Sequence, residues 1–91
     1  MEILSFTMDN CPPARLVEDA VESLLPEFAA DLKKEIKLIK VNVLTQKELA
    51  SAFQVSAVPA IVALKKEKEV GRLLGFYPRE ELKTKLKTFL I

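Results

Sequence analysis

The chain has 91 residues, 14 of them basic and 13 acidic, so its net charge is +1. This length suits one domain, residues 1–91, and the 32 Leu, Ile, Val and Phe residues suffice to bury a core. The charge balance argues against general binding of nucleic acid or of a membrane surface. No apolar run reaches the roughly 18 residues of a membrane span, and no signal peptide is visible.

A single cysteine, Cys11, and the lack of histidine limit the chemistry. One cysteine cannot close an intramolecular disulfide, and a Cys/His zinc site or a Cys–His or Ser–His catalytic pair is excluded within the chain. We therefore predict no metal and no cofactor. A cytoplasmic location is expected because no targeting segment is found.

Charge is unevenly distributed along the chain. Residues 1–64 carry 6 basic and 9 acidic groups, whereas residues 65–91 carry 8 basic and 4 acidic groups. Both a partner surface and an ordinary solvated surface fit this asymmetry, and solubility is the more general use of exposed charge.

The first third of the chain predicts a strand and then a helix. Residues 2–6 (EILSF) are short and apolar, which suits a buried strand. After a polar loop, Pro12 and Pro13 suit the first turn of a helix, where N–H groups lack partners in any case. Pro26 lies within the helical pattern and is predicted to kink the helix or divide it in two. The apolar stripe of this helix comprises Leu16, Val17, Ala20, Val21, Leu24, Leu25, Phe28 and Leu32.

The remaining elements follow in the same way. Residues 36–43 predict a second strand, and Thr45 with Glu48 forms a capping-box pattern that opens a short helix. Residues 60–64 (AIVAL) predict a buried strand, residues 65–69 a hairpin turn and residues 70–74 the returning strand. A last helix starts at Pro78. Its apolar stripe comprises Leu82, Leu86, Phe89 and Leu90.

The predicted order is β-α-β-α-β-β-α, in the α/β class. The helix between the first two strands makes them parallel, and the last two strands form an antiparallel hairpin. A mixed four-stranded sheet flanked by helices follows.

Three segments of the chain resemble the thioredoxin-like superfamily. They are residues 3–14, which contain Cys11-Pro12-Pro13-Ala14; residues 40–43; and residues 55–62 together with the return over residues 71–76. The resemblance covers nearly the whole chain, in the minimal form that lacks the extra N-terminal strand and helix of full thioredoxins. It implies the thioredoxin-like fold, a reactive thiol at Cys11 and a cis-proline at Pro59.

The chain also departs from the family pattern at several positions that affect its chemistry. The family motif is Cys-x-x-Cys, but here Ala14 stands at the second position, so the resolving thiol is missing. The buried carboxylate of thioredoxins, which assists proton transfer to that thiol, is replaced by Ser5. The segment by which glutaredoxins hold glutathione is not evident after Leu74. The resemblance therefore implies chemistry by one thiol.

The residues around Cys11 predict competing influences on its thiolate. The start of a helix favours a thiolate, but Pro12 and Pro13 lack N–H groups, and donors begin only at Ala14. Asp9 adds unfavourable charge, and Arg15 on the same helical face could compensate. An inert buried cysteine is the alternative, although the polar neighbours favour an exposed thiol.

The resemblance also assigns a binding role to Val58 and Pro59. With a cis bond between them, the main chain of Val58 would face Cys11 and offer N–H and C=O groups to an extended peptide. A trans proline at a strand start is the alternative. Lys40 is expected to be a solvated strand residue without the carboxylate partner, and Phe76 and Tyr77 are expected to be core and cap residues.

The sequence thus favours a thiol–disulfide redox protein that uses Cys11 alone. Its substrates would be protein or peptide thiols and disulfides, with a small thiol such as glutathione releasing the mixed disulfide. A redox-inactive binding module is the alternative, so enzyme status stays open. Assembly through Cys11, by an intermolecular disulfide or a shared iron–sulfur cluster, is a third possibility, but a monomer is expected.

Overall fold

The computed structural model describes residues 1–91 and contains seven helices and strands. Four strands form one sheet in the order β2-β1-β3-β4, with β1 and β2 parallel and the other neighbours antiparallel. The predicted fold class and order of elements are therefore confirmed. The elements are β1 (Glu2–Thr7), α1 (Pro12–Leu32), β2 (Lys37–Asn42), α2 (Lys47–Ala52), β3 (Ala60–Lys65), β4 (Lys68–Leu74) and α3 (Arg79–Leu90).

Two hydrophobic clusters pack on opposite faces of the sheet. Because side chains alternate along a strand, neighbours in β1 such as Ile3 and Leu4 belong to different clusters. The larger cluster packs α1 and α3 against the sheet, through Val21 and Leu86 among others. The smaller cluster packs α2 on the other face through Ala50. The sheet is thus covered on both sides, which explains the fully apolar run in β3.

Helix α1 is continuous across Pro26, so of the two predicted outcomes, a kink or a division into two helices, the division does not occur. Pro26 and Glu22 both lie on the exposed side of α1. Because Pro26 has no N–H, the carbonyl of Glu22 lacks its usual helical partner. On the exposed side it can bond water instead. Leu16, which was predicted in the apolar stripe, is 59% exposed because it lies outside the buried row that begins with Ala14 and Val17.

The predicted capping box is also wrong. Helix α2 begins after Gln46, and no side chain caps its first turn. The hydroxyl of Thr45 instead donates to the carbonyl of Asn42 at 3.5 Å, and Gln46 Oε1 accepts from the Asn42 N–H at 3.0 Å. The side chains near this helix start therefore bond back to the end of β2.

The β3–β4 hairpin is tighter than predicted. Strand β4 begins at Lys68 rather than at Val70, and only Lys66 and Glu67 lie between the strands. Both have positive φ, 51° and 68°, as a type I′ turn requires. The pairing shifts between Ala63 and Leu64, where β4 has an irregularity.

Helix α3 begins at Arg79, with Pro78 as the residue before its first turn. Tyr77 packs against the larger cluster, as predicted. Phe76 does not, and it is 52% exposed. It directly follows Gly75, the first residue after β4, whose φ is +92°.

Candidate functional site

Cys11 lies between β1 and α1, at the end of the sheet where β1 finishes. It is the residue before the first turn of α1, and its side chain is half-buried rather than enclosed. The carbonyl of Cys11 accepts from the N–H of Arg15 at 3.1 Å, which fixes the main chain at the helix start. The structure therefore places Cys11 at the N-terminus of α1, with its side chain only partly covered.

The first turn of α1 offers the sulfur few donors. Pro12 and Pro13 occupy the first two helical positions, and the Cys11 side chain makes no hydrogen bond to the turn. Ala14, at the position of the second motif cysteine, is 1% exposed and points its methyl group into the core. Nothing at that position can resolve a disulfide on Cys11.

Arg15 forms an ion pair with a carboxylate of its own helix. Its guanidinium, 76% exposed, donates to the carboxylate of Asp19 at 3.3 Å. The two residues are four apart on one helix face and so form an ordinary exposed ion pair. The positive charge predicted to compensate Asp9 is therefore shared with Asp19.

Asp9 is held by Asn42, which is not among the predicted site residues. Its carboxylate accepts from Asn42 Nδ2 at 3.3 Å, and Asn42 Oδ1 accepts from the Leu44 N–H at 2.9 Å. Asn42 thus links the end of β2 to the loop that carries Cys11, in which Asn10 has a φ of +57°. Asparagine at the end of a strand often forms such turns, and this pattern was the available signal.

An open groove of about 480 Å³ runs beside the thiol. It is lined by residues 7–12, Arg15 and Glu18. Thus the loop before Cys11 and the first turns of α1 form one concave surface with mixed polarity. Val58 and Pro59 are not part of its lining.

The segment at Val58 and Pro59 adjoins the Cys11 loop through the sheet. Phe6 pairs with Ala60, so Pro59 lies beside Thr7 at the end of β1. The peptide bond between Val58 and Pro59 is cis. The Pro59 carbonyl accepts from the Gly75 N–H at 2.9 Å, whereas neither main-chain polar group of Val58 takes part in the backbone hydrogen bonds. Val58 therefore keeps a free donor and a free acceptor at this end of the sheet.

Lys40 has acidic partners that the sequence analysis missed. Its ammonium lies 3.0 Å from Glu22 and 3.9 Å from Glu18, both on α1. The hydrogen bond to Glu22 raises the pKa of Lys40, with the nearby charges of both glutamates adding to the effect. Lys40 is exposed, as expected, and Ser5 provides no carboxylate for it, but α1 supplies two others.

The chain presents no cluster of His, Cys, Asp and Glu side chains placed to hold a metal ion. None of its helices combines the length and the apolar character that crossing a membrane demands.

The model of the thioredoxin family matches residues 1–88. Thioredoxin H2 of Arabidopsis thaliana is 27% identical over 84 residues, which cover 92% of this chain but 59% of that protein. Thioredoxin of Staphylococcus aureus is 24% identical over 82 residues, which cover 90% of this chain and 75% of that protein. The chain thus spans less than two thirds of the plant relative's length.

Solved structures lead to the same family. The X-ray structure of Fasciola hepatica thioredoxin superposes with a TM-score of 0.81 at 28% identity, covering 97% of this chain and 79% of that one. The chain belongs to the thioredoxin family.

Proposed function

We propose that the protein catalyses thiol–disulfide exchange through the single thiol of Cys11. The observation that supports this most strongly is the half-exposed Cys11 at the start of α1, beside a groove, with the methyl group of Ala14 where the family carries its second cysteine. The fold presents one sulfur for reaction and no second thiol that could release a bound substrate.

The exchange takes place in two balanced steps. The Cys11 thiolate attacks one sulfur of a substrate disulfide, which breaks the S–S bond, forms a mixed disulfide at Cys11 and expels the other sulfur as a thiolate. An external thiol, for which glutathione is the proposed compound, then attacks the substrate sulfur of the mixed disulfide. This step restores Cys11 as a thiolate and oxidises the external thiol into a disulfide with the substrate.

Val58 is the proposed docking point for the substrate chain. Its N–H and C=O are both without backbone partners and lie at the end of the sheet that carries the Cys11 loop. An extended peptide could pair with them as an added strand, which provides affinity without requiring a particular side chain. Protein and peptide disulfides are therefore the proposed substrate class.

A turnover assay tests the proposal. A glutathionylated peptide is mixed with the protein and excess free thiol, and release of the peptide thiol is followed for the natural chain and for Cys11→Ser. We expect catalysis by the natural chain and only the background rate with Cys11→Ser. Equal rates for the two proteins would reject exchange and favour the binding module, whose supporting feature is the same free main chain of Val58.

Ala14→Cys provides a matched gain-of-function variant. It restores the family motif on one helical turn, where two cysteines are close enough to form a disulfide. We expect oxidised Ala14→Cys to contain no free thiol and its release step to be independent of external thiol. If both thiols remain free after oxidation, Cys11 does not face the position of Ala14 and the proposed site geometry is wrong.

A further inference from the structure

The end of the molecule opposite Cys11 gathers the termini of several elements. Strand β1 starts there, and Glu2 pairs with Lys37 of β2 and with Leu64 of β3. The tight hairpin follows directly, with Lys65 opposite Lys68. The α1–β2 connection and the β3–β4 hairpin therefore lie at the same end of the sheet.

Helix α3 also ends here. Lys34 Nζ, in the α1–β2 connection, donates to the carbonyl of Leu90 in the last turn of α3 at 3.0 Å. Parts of the chain that are far apart in sequence thus form one surface. Its exposed lysines, named here the basic end, are Lys33, Lys37, Lys65, Lys66, Lys68 and Lys87.

The six lysines of the basic end have no acidic partners. Elsewhere the cations are mostly neutralised by ion pairs, and the residues so paired are Arg15, Lys40, Arg72, Arg79 and Lys83. Most cations without an ion pair therefore lie at the basic end, although Lys47 and Lys85 are also unpaired elsewhere. The net charge of +1 for the whole chain does not show this concentration.

We propose that the basic end docks an acidic segment of a partner protein. Complementary charge is the argument: unpaired ammonium groups on a surface attract carboxylates and speed their encounter. Docking at this end would leave the Cys11 groove open, because the two surfaces lie at opposite ends of β1. This proposal does not depend on exchange chemistry at Cys11.

The residues of the basic end favour an acidic protein segment over other anions. None of the cavities in the structure is lined by a lysine of the basic end, so a small anion would find no enclosure. The surface contains no arginine to read bases and no exposed aromatic ring to stack on them. A uniformly anionic lipid surface would repel the carboxylates interspersed among the lysines, which are Glu2, Asp31, Glu35 and Glu67. A protein segment can match such a mixed pattern.

Fluorescence anisotropy with a labelled peptide of alternating glutamate and serine tests the proposal. All proteins carry Cys11→Ser, so thiol chemistry cannot contribute. Lys66→Gln/Lys68→Gln removes two charges from the basic end, and Lys47→Gln/Lys85→Gln removes two unpaired charges elsewhere as the matched control. We expect binding at low salt that weakens about fivefold in the first variant, stays unchanged in the second and falls as salt is added.

Three results of the binding measurements would overturn the proposal, and NMR provides a fourth. They are an absence of peptide binding at low salt, equal weakening by the two double variants, and tighter binding of a single-stranded oligonucleotide or of phosphatidylserine vesicles than of the peptide. Thermal unfolding of each variant, measured alongside, ensures that only folded proteins are compared. Chemical shift changes in NMR spectra should then cluster at residues 33–37, 65–68 and 87–91, and changes centred on residues 7–15 would place the peptide at the wrong end.

Discussion

Gly71 shows how a single residue can limit the packing of this small fold. A Cβ added at Gly71 would overlap the ring of Phe89, which packs from α3 against the larger cluster. Glycine is thus needed here for close approach rather than for an unusual backbone angle. Phe89 can lie against β4 only because no side chain stands at Gly71.

Gly71→Ala should therefore lower the free energy of unfolding by about 2 kcal/mol, the usual cost of overfilling a packed site. Urea denaturation measures this loss. In the Phe89→Leu background the same substitution should cost much less, because the smaller side chain can yield. An equal cost in both backgrounds would show that the ring is not the obstacle. Gly75→Ala is a useful contrast, since its added Cβ meets no atoms and only the φ of +92° opposes it.

The ion pair between Glu69 and Arg72 should make the stability of the fold depend on pH. The Glu69 carboxylate accepts two hydrogen bonds of 2.7 Å from Arg72, and Arg72 also donates to the Phe53 carbonyl at 2.8 Å. The hydrogen bonds from Arg72 hold the pKa of Glu69 below its ordinary value. Since the folded pKa is depressed, the pair stabilises the fold above the ordinary pKa of glutamate, and this contribution is lost as the pH falls through the folded pKa.

Glu69→Gln should lower the free energy of unfolding at pH 7 by about 0.5 kcal/mol, a value typical of a largely solvated ion pair. As the pH falls from the ordinary pKa of glutamate through the lower folded pKa, the difference from the natural chain should shrink, because Glu69 becomes protonated first in the unfolded state and then in the folded state. Urea titrations at pH 7 and at successively lower pH values test this. Glu67→Gln removes a neighbouring carboxylate that has no ion pair, and it should show no such change. A difference that grows at low pH would contradict the assignment.

At the scale of elements, the hairpin contains strain that substitution can relieve. Lys66 and Glu67 both adopt left-handed angles, which cost an ordinary residue roughly 1 kcal/mol. Asparagine and glycine favour a type I′ turn at these positions. Lys66→Asn/Glu67→Gly should therefore raise the free energy of unfolding by about 1 kcal/mol.

Thermal or urea denaturation measures the gain in the hairpin variant. Glu67→Ala is the control, because it removes the same charge while keeping a Cβ at the left-handed position, and it should bring no gain. Equal stabilisation by both variants would mean that charge, rather than backbone geometry, limits this turn.

The presence of each helix and strand was more predictable from the sequence than the residues at which it begins and ends. Apolar periodicity in residues 16–32 and the run AIVAL over residues 60–64 reflect burial, which the sequence pattern reports directly. The capping box failed because Thr45 and Gln46 bond to Asn42, a choice decided by three-dimensional contacts. The returning strand is predicted to start at Val70 instead of Lys68 because Lys66 and Glu67 carry no turn signature, and the pairing of β3 with β4 imposes the turn.

Within the site, the locations of the residues were more predictable from the sequence than the partners of the charged side chains. The location of Cys11 and the loss of the second thiol at Ala14 follow from the motif. The partners of Arg15 and Lys40 could not be inferred in the same way. Arg15 had a choice of carboxylates, and the ion pair of Lys40 depends on how α1 crosses β2. Long-range ion pairs leave no periodic pattern in a sequence.

At the scale of the whole molecule, the two ends of the sheet differ in character. One end carries a lone thiol, a groove and the free main chain of Val58, while the other carries unpaired lysines. The redox proposal concerns the first end and the docking proposal the second. Each can therefore fail without the other, and a variant at one end should leave the behaviour of the other end unchanged.

The central claim is that the fold, and not the bare thiol, makes Cys11 an exchange site. Intact mass spectrometry can follow the mixed disulfide formed with a disulfide-linked peptide, and its removal by added free thiol. A synthetic peptide of residues 7–15, which contains the same cysteine without the fold, is the reference. We predict that the folded protein forms and releases its adduct faster than the reference peptide. Equal rates, or an adduct that free thiol cannot remove, would contradict the account.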